Sequence, residues 1–315
     1  MTRQAGRSIQ AQTLKLGFHA LRALSSNLAH RGAERLFSTP RRRKETEVER
    51  VALGRARTFH FHSGGLRLRA HAWGEGPAVL CLHGWEGQGL QFHAFVEPLA
   101  KAGFSTLTFD QPGHGGSQGR RSGPREWAQA IQDLVARVGP IHGAVAHSLG
   151  AAGAALAVDQ GLHMPRIVLL APPAGPDRYY CTLLSLLGFP EAEHAAAFQA
   201  YAGRTGLPPE RIRIQSLATR IAAPLLVIHD RLDREVPWSE GAAIAAACPG
   251  AILRTTEGLG HRRIIRDPWV IEQTIAFLGE AAPQEKIPYH GEGLRSLEWH
   301  LFHRDLQGRL LDPGA

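Results

Sequence analysis

The sequence predicts an α/β fold: a mostly parallel central sheet with helices on both faces and a small helical cap inserted late in the chain. Three observations predict it. Short apolar runs alternate with helical patterns from residue 78 onward, the signature of strand–helix–strand units. Near-continuous apolar runs such as Ile167-Val168-Leu169-Leu170 suit strands buried on both sides. One gap, residues 175–221, is far longer than a usual crossover and carries helical pieces of its own, as an inserted cap would.

Leu14, Phe18, Leu21, Leu24 and Leu28 recur at helical spacing, with Lys15, His19 and Arg22 on the other side, so one amphipathic helix is expected. Arg22 comes too early for a secretory apolar core, and no small-residue cleavage site follows. Three readings of this helix stand: docking on the body, weak contact with a membrane surface, or an organellar address. Pro40-Arg41-Arg42-Arg43-Lys44 breaks the helix and reads as a solvated linker. Residues 1–50 thus form a basic arm, 51–281 the α/β domain, and 282–315 a tail packed on the body, with Trp299 and Phe302 as its aromatics.

Within the domain, 56–62 and 66–73 alternate around Ser63-Gly64-Gly65 and predict a hairpin. Strands follow at 78–83, 105–110, 143–147, 167–171, 225–229 and 252–256. Helices are expected near 91–102, 125–138, 149–162, 239–248 and 268–280.

With 315 residues the chain can bury a sizeable core. Its net charge of +8 is uneven. Residues 1–50 hold eleven Lys/Arg against four Asp/Glu, which leaves +1 for everything else. A nearly neutral body with a basic arm disfavours a nucleic-acid partner. Three distant cysteines, Cys81, Cys181 and Cys248, argue against a disulfide framework and fit a reducing, cytoplasmic setting. The tight histidine pairs His60/His62 and His300/His303 lack a third ligand nearby, so no metal is expected. No phosphate loop or nucleotide fingerprint is present, and no cofactor is expected.

The chemistry centres on Ala146-His147-Ser148-Leu149-Gly150, a short apolar strand leading through a turn into an alanine-rich helix. This is the setting of a nucleophile elbow. A neutral hydroxyl needs a base, and a base needs an orienting acid. Asp233 and His261 follow in that order, each after a predicted strand. Gly150 meets the demand for a small residue beside the serine, and Leu149 supplies one backbone N–H for an oxyanion.

These segments, with His83-Gly84-Trp85 and Phe109-Asp110-Gln111-Pro112-Gly113-His114-Gly115-Gly116-Ser117, resemble the α/β-hydrolase fold family over about residues 56–281. The resemblance is to the serine-nucleophile, esterase- and lysophospholipase-like branch; relatives with an aspartate nucleophile are excluded by Ser148. The resemblance implies Ser148, His261 and Asp233 as nucleophile, base and acid, with the Trp85 N–H as second oxyanion donor. It implies a structural role for the Asp110–Ser117 loop and for His147. Ala146 stands where the family commonly has glycine, and Asp230 where it has glycine after the strand histidine; Asp230 is therefore the alternative acid. If both carboxylates faced the site, one would have a raised pKa, because neighbouring negative charges resist joint ionisation.

His83, Gly84, Trp85, Tyr179, Leu183 and Leu187 are the pocket candidates. Tyr180, Leu184, Leu186 and Phe189 complete an apolar cap cluster, read as cap packing or as an acyl pocket. Arg262, Arg263 and Arg266 are read as solvated residues or as a lure for an anionic substrate end. The expected reaction is hydrolysis of a carboxylic ester or thioester of a small to medium apolar acid. Alternatives are an acyltransferase on the same triad, a proline-type aminopeptidase using Glu191 or Glu193, and a non-catalytic interaction protein.

Overall fold

A computed structural model describes the backbone of residues 2–280 and the side chains of 12–280. The expected tail at 282–315, with His300 and His303, lies outside the described residues.

The N-terminal arm is two helices, not one: α1 (Thr2–Leu24) and α2 (Ser26–Phe37). Ser25 separates them because it is extended, with φ −164°, and its hydroxyl accepts the Leu28 N–H as an N-cap. A third helix, α3 (Glu47–Gly54), opens on a capping box between Thr46 and Glu49. The arm–body boundary drawn at residue 50 falls inside it.

Strands β1 (Arg57–Ser63) and β2 (Leu66–Trp73) form the hairpin, followed by β3 (Ala78–Leu82), α4 (His93–Lys101), β4 (Ser105–Phe109), α5 (Pro124–Val138), β5 (Gly143–His147), α6 (Gly150–Asp159) and β6 (Ile167–Leu170). The cap comprises α7 (Asp177–Leu187), α8 (Glu191–Thr205) and α9 (Ile214–Ala218). Then come β7 (Leu225–Asp230), α10 (Trp238–Ala247), β8 (Ile252–Thr256), α11 (Gly260–Arg263) and α12 (Pro268–Gly279). The sheet order is β1-β2-β4-β3-β5-β6-β7-β8. The first two joints are antiparallel and the other five parallel. Alternate residues of each central strand enter opposite cores. Leu80, Leu82, Ala144, Ala146, Leu169 and Val227 meet α5, α6 and α10 on one face. Val79, Cys81, Val145, Val168, Leu170 and Ile228 meet α4 and α12 on the other.

The arm docks. Ala29 and Ala33 are fully buried, Phe18 packs on Phe189, and Phe37 stands edge-on to Tyr180 and Tyr201 at ring separations of 5.0 and 5.5 Å. Arg22 pairs with Glu193 at 2.6 Å, and Arg204 of the cap pairs with Glu34. Of the expected apolar stripe, Phe18 and Leu21 face the cap, whereas Leu14, Leu24 and Leu28 stay exposed.

The stretch read as a solvated linker is clamped. The Arg42 guanidinium donates to the carbonyls of His114, Gly115, Ser117 and Gly119. Arg43 pairs with the buried Glu49, which also accepts from Gln88. Acceptors some 70 residues away in the chain, which local composition does not reveal, turn this basic run into a tether. No described helix is long and apolar enough to cross a membrane.

Candidate active site

At the end of β5, Ser148 adopts φ +52°, a left-handed conformation that costs a non-glycine residue energy and recurs at functional turns. Its backbone is held by an N–H bond to the Leu170 carbonyl at 2.9 Å. The turn tolerates no bulk beside it. A Cβ at Gly150 would lie 2.6 Å from the Leu82 carbonyl oxygen, and one at Gly84 would lie 2.8 Å from Ser148 Cβ. Helix α6 can therefore start directly behind the serine, and the Gly84 loop can pass close in front of it.

His261 opens α11 after β8, and Asp233 lies in the turn after β7. His261 Nε2 is 2.9 Å from Ser148 Oγ, and His261 Nδ1 is 2.8 Å from Asp233 Oδ2. Asp233 Oδ1 accepts the N–H groups of Glu235 and Val236 at 2.8 and 2.9 Å. Burial alone would raise the Asp233 pKa. Hydrogen bonds from His229, His261 and Val236 outweigh it and hold the carboxyl well below the ordinary range, so it is anionic. The Ser148, Asp233 and His261 side chains are thus joined in one chain of hydrogen bonds.

Asp230, the alternative acid, is engaged elsewhere. Its oxygens accept from Leu232 N at 3.0 Å, Thr256 Oγ1 at 2.8 Å and Leu259 N at 2.9 Å, which ties the end of β7 to the loop that carries His261. The condition for a raised pKa, both carboxylates facing the site, is not met. Burial pushes Asp230 up, but these bonds lower it overall, as in Asp233. Two carboxylates three residues apart remain ionised because each is surrounded by donors.

Sequence reasoning missed the part His147 plays. Its Nε2 donates to the His261 carbonyl at 2.8 Å, its ring lies 4.8 Å from the His261 ring, and Gln91 Nε2 is 3.4 Å from its Nδ1. Burial, then the neighbouring His261, lower its pKa to about 3, so it is a neutral donor at ordinary pH. Only its place next to the serine could have signalled this. The buried His229 donates to the Val236 carbonyl at 3.0 Å behind Asp233.

No backbone hydrogen bond of the described residues uses the N–H of Trp85 or Leu149. The Trp85 loop is set by Glu86 at φ +54°, whose N–H donates to His114 Nε2 at 3.2 Å. His114 is buried and its pKa is lowered to about 3, chiefly by burial. Asp110 accepts the Gly89 and Gly116 N–H groups, both at 2.8 Å, and pairs with Arg69.

A cavity of about 400 Å³ opens over Ser148. Trp85, Leu149, Tyr179, Leu183 and Val236 line it, joined by Leu14, Leu36, Phe37 and Thr39 of the arm. The arm's share of this wall was not read from the sequence, since nothing in its helical spacing names what it packs against. Three expected pocket residues are displaced. His83 is fully buried, accepting from Gln111 N at 2.9 Å and bonding the Gly84 carbonyl at 2.7 Å, so it supports the loop from behind. Leu187 belongs to the cap core. Gly84 abuts the serine without lining the cavity.

Within the cap cluster, Tyr180, Leu184 and Phe189 are core, and Leu186 is exposed. Glu193 is taken by Arg22 and His30, and neither it nor Glu191 lines the cavity; Glu86 does. Arg262 pairs with Glu235, and Arg262, Arg263 and Arg266 do not line the cavity. Among the described residues the three cysteines are free and no cluster could hold a metal.

The family model described as serine aminopeptidase, S33, matches residues 76–201, which include Trp85 and Ser148 but neither Asp233 nor His261. Comparison with curated proteins gives no match. Among solved structures, a putative lipase from Acinetobacter baumannii is 16% identical, with 75% of this chain and 97% of that one covered and a TM-score of 0.58. An esterase from Exiguobacterium antarcticum is 15% identical, with 70% and 99% covered and a TM-score of 0.55. A bromoperoxidase from Bacillus anthracis is also 15% identical, with 71% and 99% covered and a TM-score of 0.55. Such different reactions on one scaffold mean that the likeness carries architecture and not substrate. Sheet order, the turn at Ser148 and these matches together show that the chain has the α/β-hydrolase fold.

Proposed function

We propose that the protein is a serine hydrolase that cleaves a carboxylic ester or thioester of a small to medium apolar acid. The observation that carries this reading is the continuous bond chain from Ser148 Oγ through His261 to Asp233, opening into an apolar cavity. In this mechanism His261 Nε2 takes the Ser148 proton as Oγ attacks the acyl carbon, and Asp233 stabilises the imidazolium that forms. The unclaimed N–H groups of Trp85 and Leu149 receive the oxyanion. The protonated His261 then gives its proton to the departing alcohol or thiol, and water releases the acid by the same steps in reverse.

A fluorophosphonate probe tests the nucleophile: it labels wild type and spares Ser148→Ala. Labelling of both, or of neither, sinks the reading. A panel of p-nitrophenyl esters and acyl thioesters of graded length then finds the acyl class. Two arms of that panel address the alternatives. Product partition to added alcohol over water identifies an acyltransferase. Cleavage of prolyl p-nitroanilide in preference to esters identifies an aminopeptidase, for which Glu86 at the cavity rim is the available carboxylate.

A further inference from the structure

A second cavity, about 450 Å³, lies beside the first, and the two share Ser122, Gly123, Pro124, Pro176 and Tyr201 as lining residues. Its character is different. Five guanidinium groups line it, from Arg31 and Arg35 on α2, Arg121 before α5, Arg125 at the start of α5 and Arg204 on the cap. The carboxylates are Glu34, already held by Arg204, and Glu126. Arg125 donates to the Thr205 carbonyl at 2.9 Å. Among the described residues Arg31, Arg35 and Arg121 have no ion pair or side-chain hydrogen bond. The N-terminus of α5, whose N-cap Gly123 offers no side-chain acceptor, lies in the same wall. The cluster is assembled from three separate stretches of sequence: two of its five arginines come from the basic arm, and the other three from a body whose net charge is only +1.

Unpaired guanidiniums converge in this way where an anion with several acceptor oxygens is bound. We propose that this cavity binds a phosphate group on the leaving-group side of the substrate, so that the preferred substrate is an apolar acyl ester or thioester of a phosphate-bearing alcohol or thiol. The acyl chain occupies the cavity over Ser148, and the phosphate lies across the shared Ser122–Pro124 wall. This rests on the hydrolase reading, and it deepens that reading by naming the leaving group. The reaction stays balanced: water supplies hydroxyl to the acid and a proton to the phosphate-bearing alcohol or thiol.

The test uses pairs of compounds that differ in the phosphate. Binding is measured by calorimetry on Ser148→Ala, with coenzyme A against pantetheine as the soluble thiol pair and lysophosphatidylglycerol against monoacylglycerol as the lipid pair. Turnover by wild type is measured on hexanoyl-coenzyme A against hexanoyl-pantetheine, with p-nitrophenyl hexanoate as a substrate without phosphate. The expected result is at least about tenfold tighter binding of the phosphate-bearing member of one pair, weakened by salt. In the triple variant Arg31→Gln/Arg35→Gln/Arg121→Gln that advantage disappears, while p-nitrophenyl hexanoate is cleaved as by wild type. Preference within the thiol pair points to a soluble carrier, and within the lipid pair to a lipid headgroup. Equal binding within both pairs, or an advantage that survives in the triple variant, overturns the proposal. If no ester is cleaved and no probe labels Ser148, the hydrolase reading fails; the calorimetry on Ser148→Ala still decides the phosphate site.

Discussion

Asp233→Asn separates the two carboxylates of the β7 turn by chemistry. Asp233 Oδ1 accepts two short backbone bonds, from Glu235 N at 2.8 Å and Val236 N at 2.9 Å, while Oδ2 faces His261 Nδ1 at 2.8 Å and His229 Nε2 at 3.5 Å. Asparagine has one acceptor oxygen and one NH2. The two backbone donors keep the oxygen on their side, and the NH2 turns toward the imidazoles. His261 Nδ1 must then accept, its proton moves to Nε2, and Nε2 can no longer take a proton from Ser148. A comparable tautomer reversal in a serine protease lowers kcat about 10⁴-fold, and the same order is expected here. Because both backbone bonds persist, the loss of stability is only about 1–2 kcal/mol. In Asp230→Asn the amide leaves at least one of Leu232 N, Thr256 Oγ1 and Leu259 N unsatisfied, a cost of about 1–3 kcal/mol, but His261 keeps its acid. Its kcat is expected to stay within about tenfold of wild type, since the tautomer is unchanged. Initial rates on p-nitrophenyl acetate, with thermal melts alongside, read both effects. A kcat for Asp233→Asn within tenfold of wild type, or a greater kcat loss in Asp230→Asn, would refute the reasoning.

Two further outcomes follow from the buried groups and the arm. Burial is the largest cause holding His71 and His83 at about 4, and His114 and His147 at about 3, against an ordinary 6.5. As pH falls below 6.5 the unfolded chain takes up protons that the folded chain refuses. Stability is therefore full above that value and declines toward pH 3–4, by up to about 1.4 kcal/mol per pH unit for each ring. Thermal melts between pH 7 and 4 should show Tm falling from about pH 6.5, and a flat Tm to pH 5 contradicts this. Arg42→Ala removes the four carbonyl contacts that tether the basic run at 40–44, and deletion of residues 1–44 removes Leu14, Leu36, Phe37 and Thr39 from the cavity wall. Both should raise KM for longer acyl esters, roughly tenfold for the deletion if one large apolar contact is lost, and much less for acetate. An unchanged chain-length profile would show that the arm does not bound the acyl site.

Much of the architecture was legible because the central strands are apolar on both faces. Residues 167–171 and 225–229 read as buried strands from composition, within a residue of the observed Ile167–Leu170 and Leu225–Asp230, and the gap between them holds the cap helices. The order Ser148, Asp233, His261 was legible because each stands at a strand end, where side chains converge. What escaped depended on which partner a polar group finds, near or far in the chain, and composition does not name it. The apolar stripe continues through Leu28, so the period concealed the break that the Ser25 hydroxyl makes. Arg42 and Arg43 looked solvated because their acceptors are the 114–119 carbonyls and Glu49. Leu183 and Leu187 lie one helical turn apart and look equivalent, yet one lines the cavity and the other fills the cap.

The site also shows why a titratable residue near a serine so readily suggests a catalytic role. Loops at the carboxyl ends of parallel strands leave the sheet with unpaired amides and carbonyls, and burying them unsatisfied is costly. Here Asp110, Asp230, His83, His147 and His229 meet that need, each bonded to main-chain groups of the loops around the site. Ser148 Oγ and His261 Nε2 differ, since they bond to each other and have no main-chain partner. Asp233 stands between the two kinds, one oxygen holding a turn and the other holding an imidazole. On the proposed mechanism, proximity does not separate reacting groups from scaffolding here; what separates them is whether the polar atom facing the cavity is free of the backbone. By that criterion the two carboxylates of one short turn, close in sequence and both anionic, have different work: Asp230 fixes where His261 lies, and Asp233 fixes which nitrogen of His261 carries the proton.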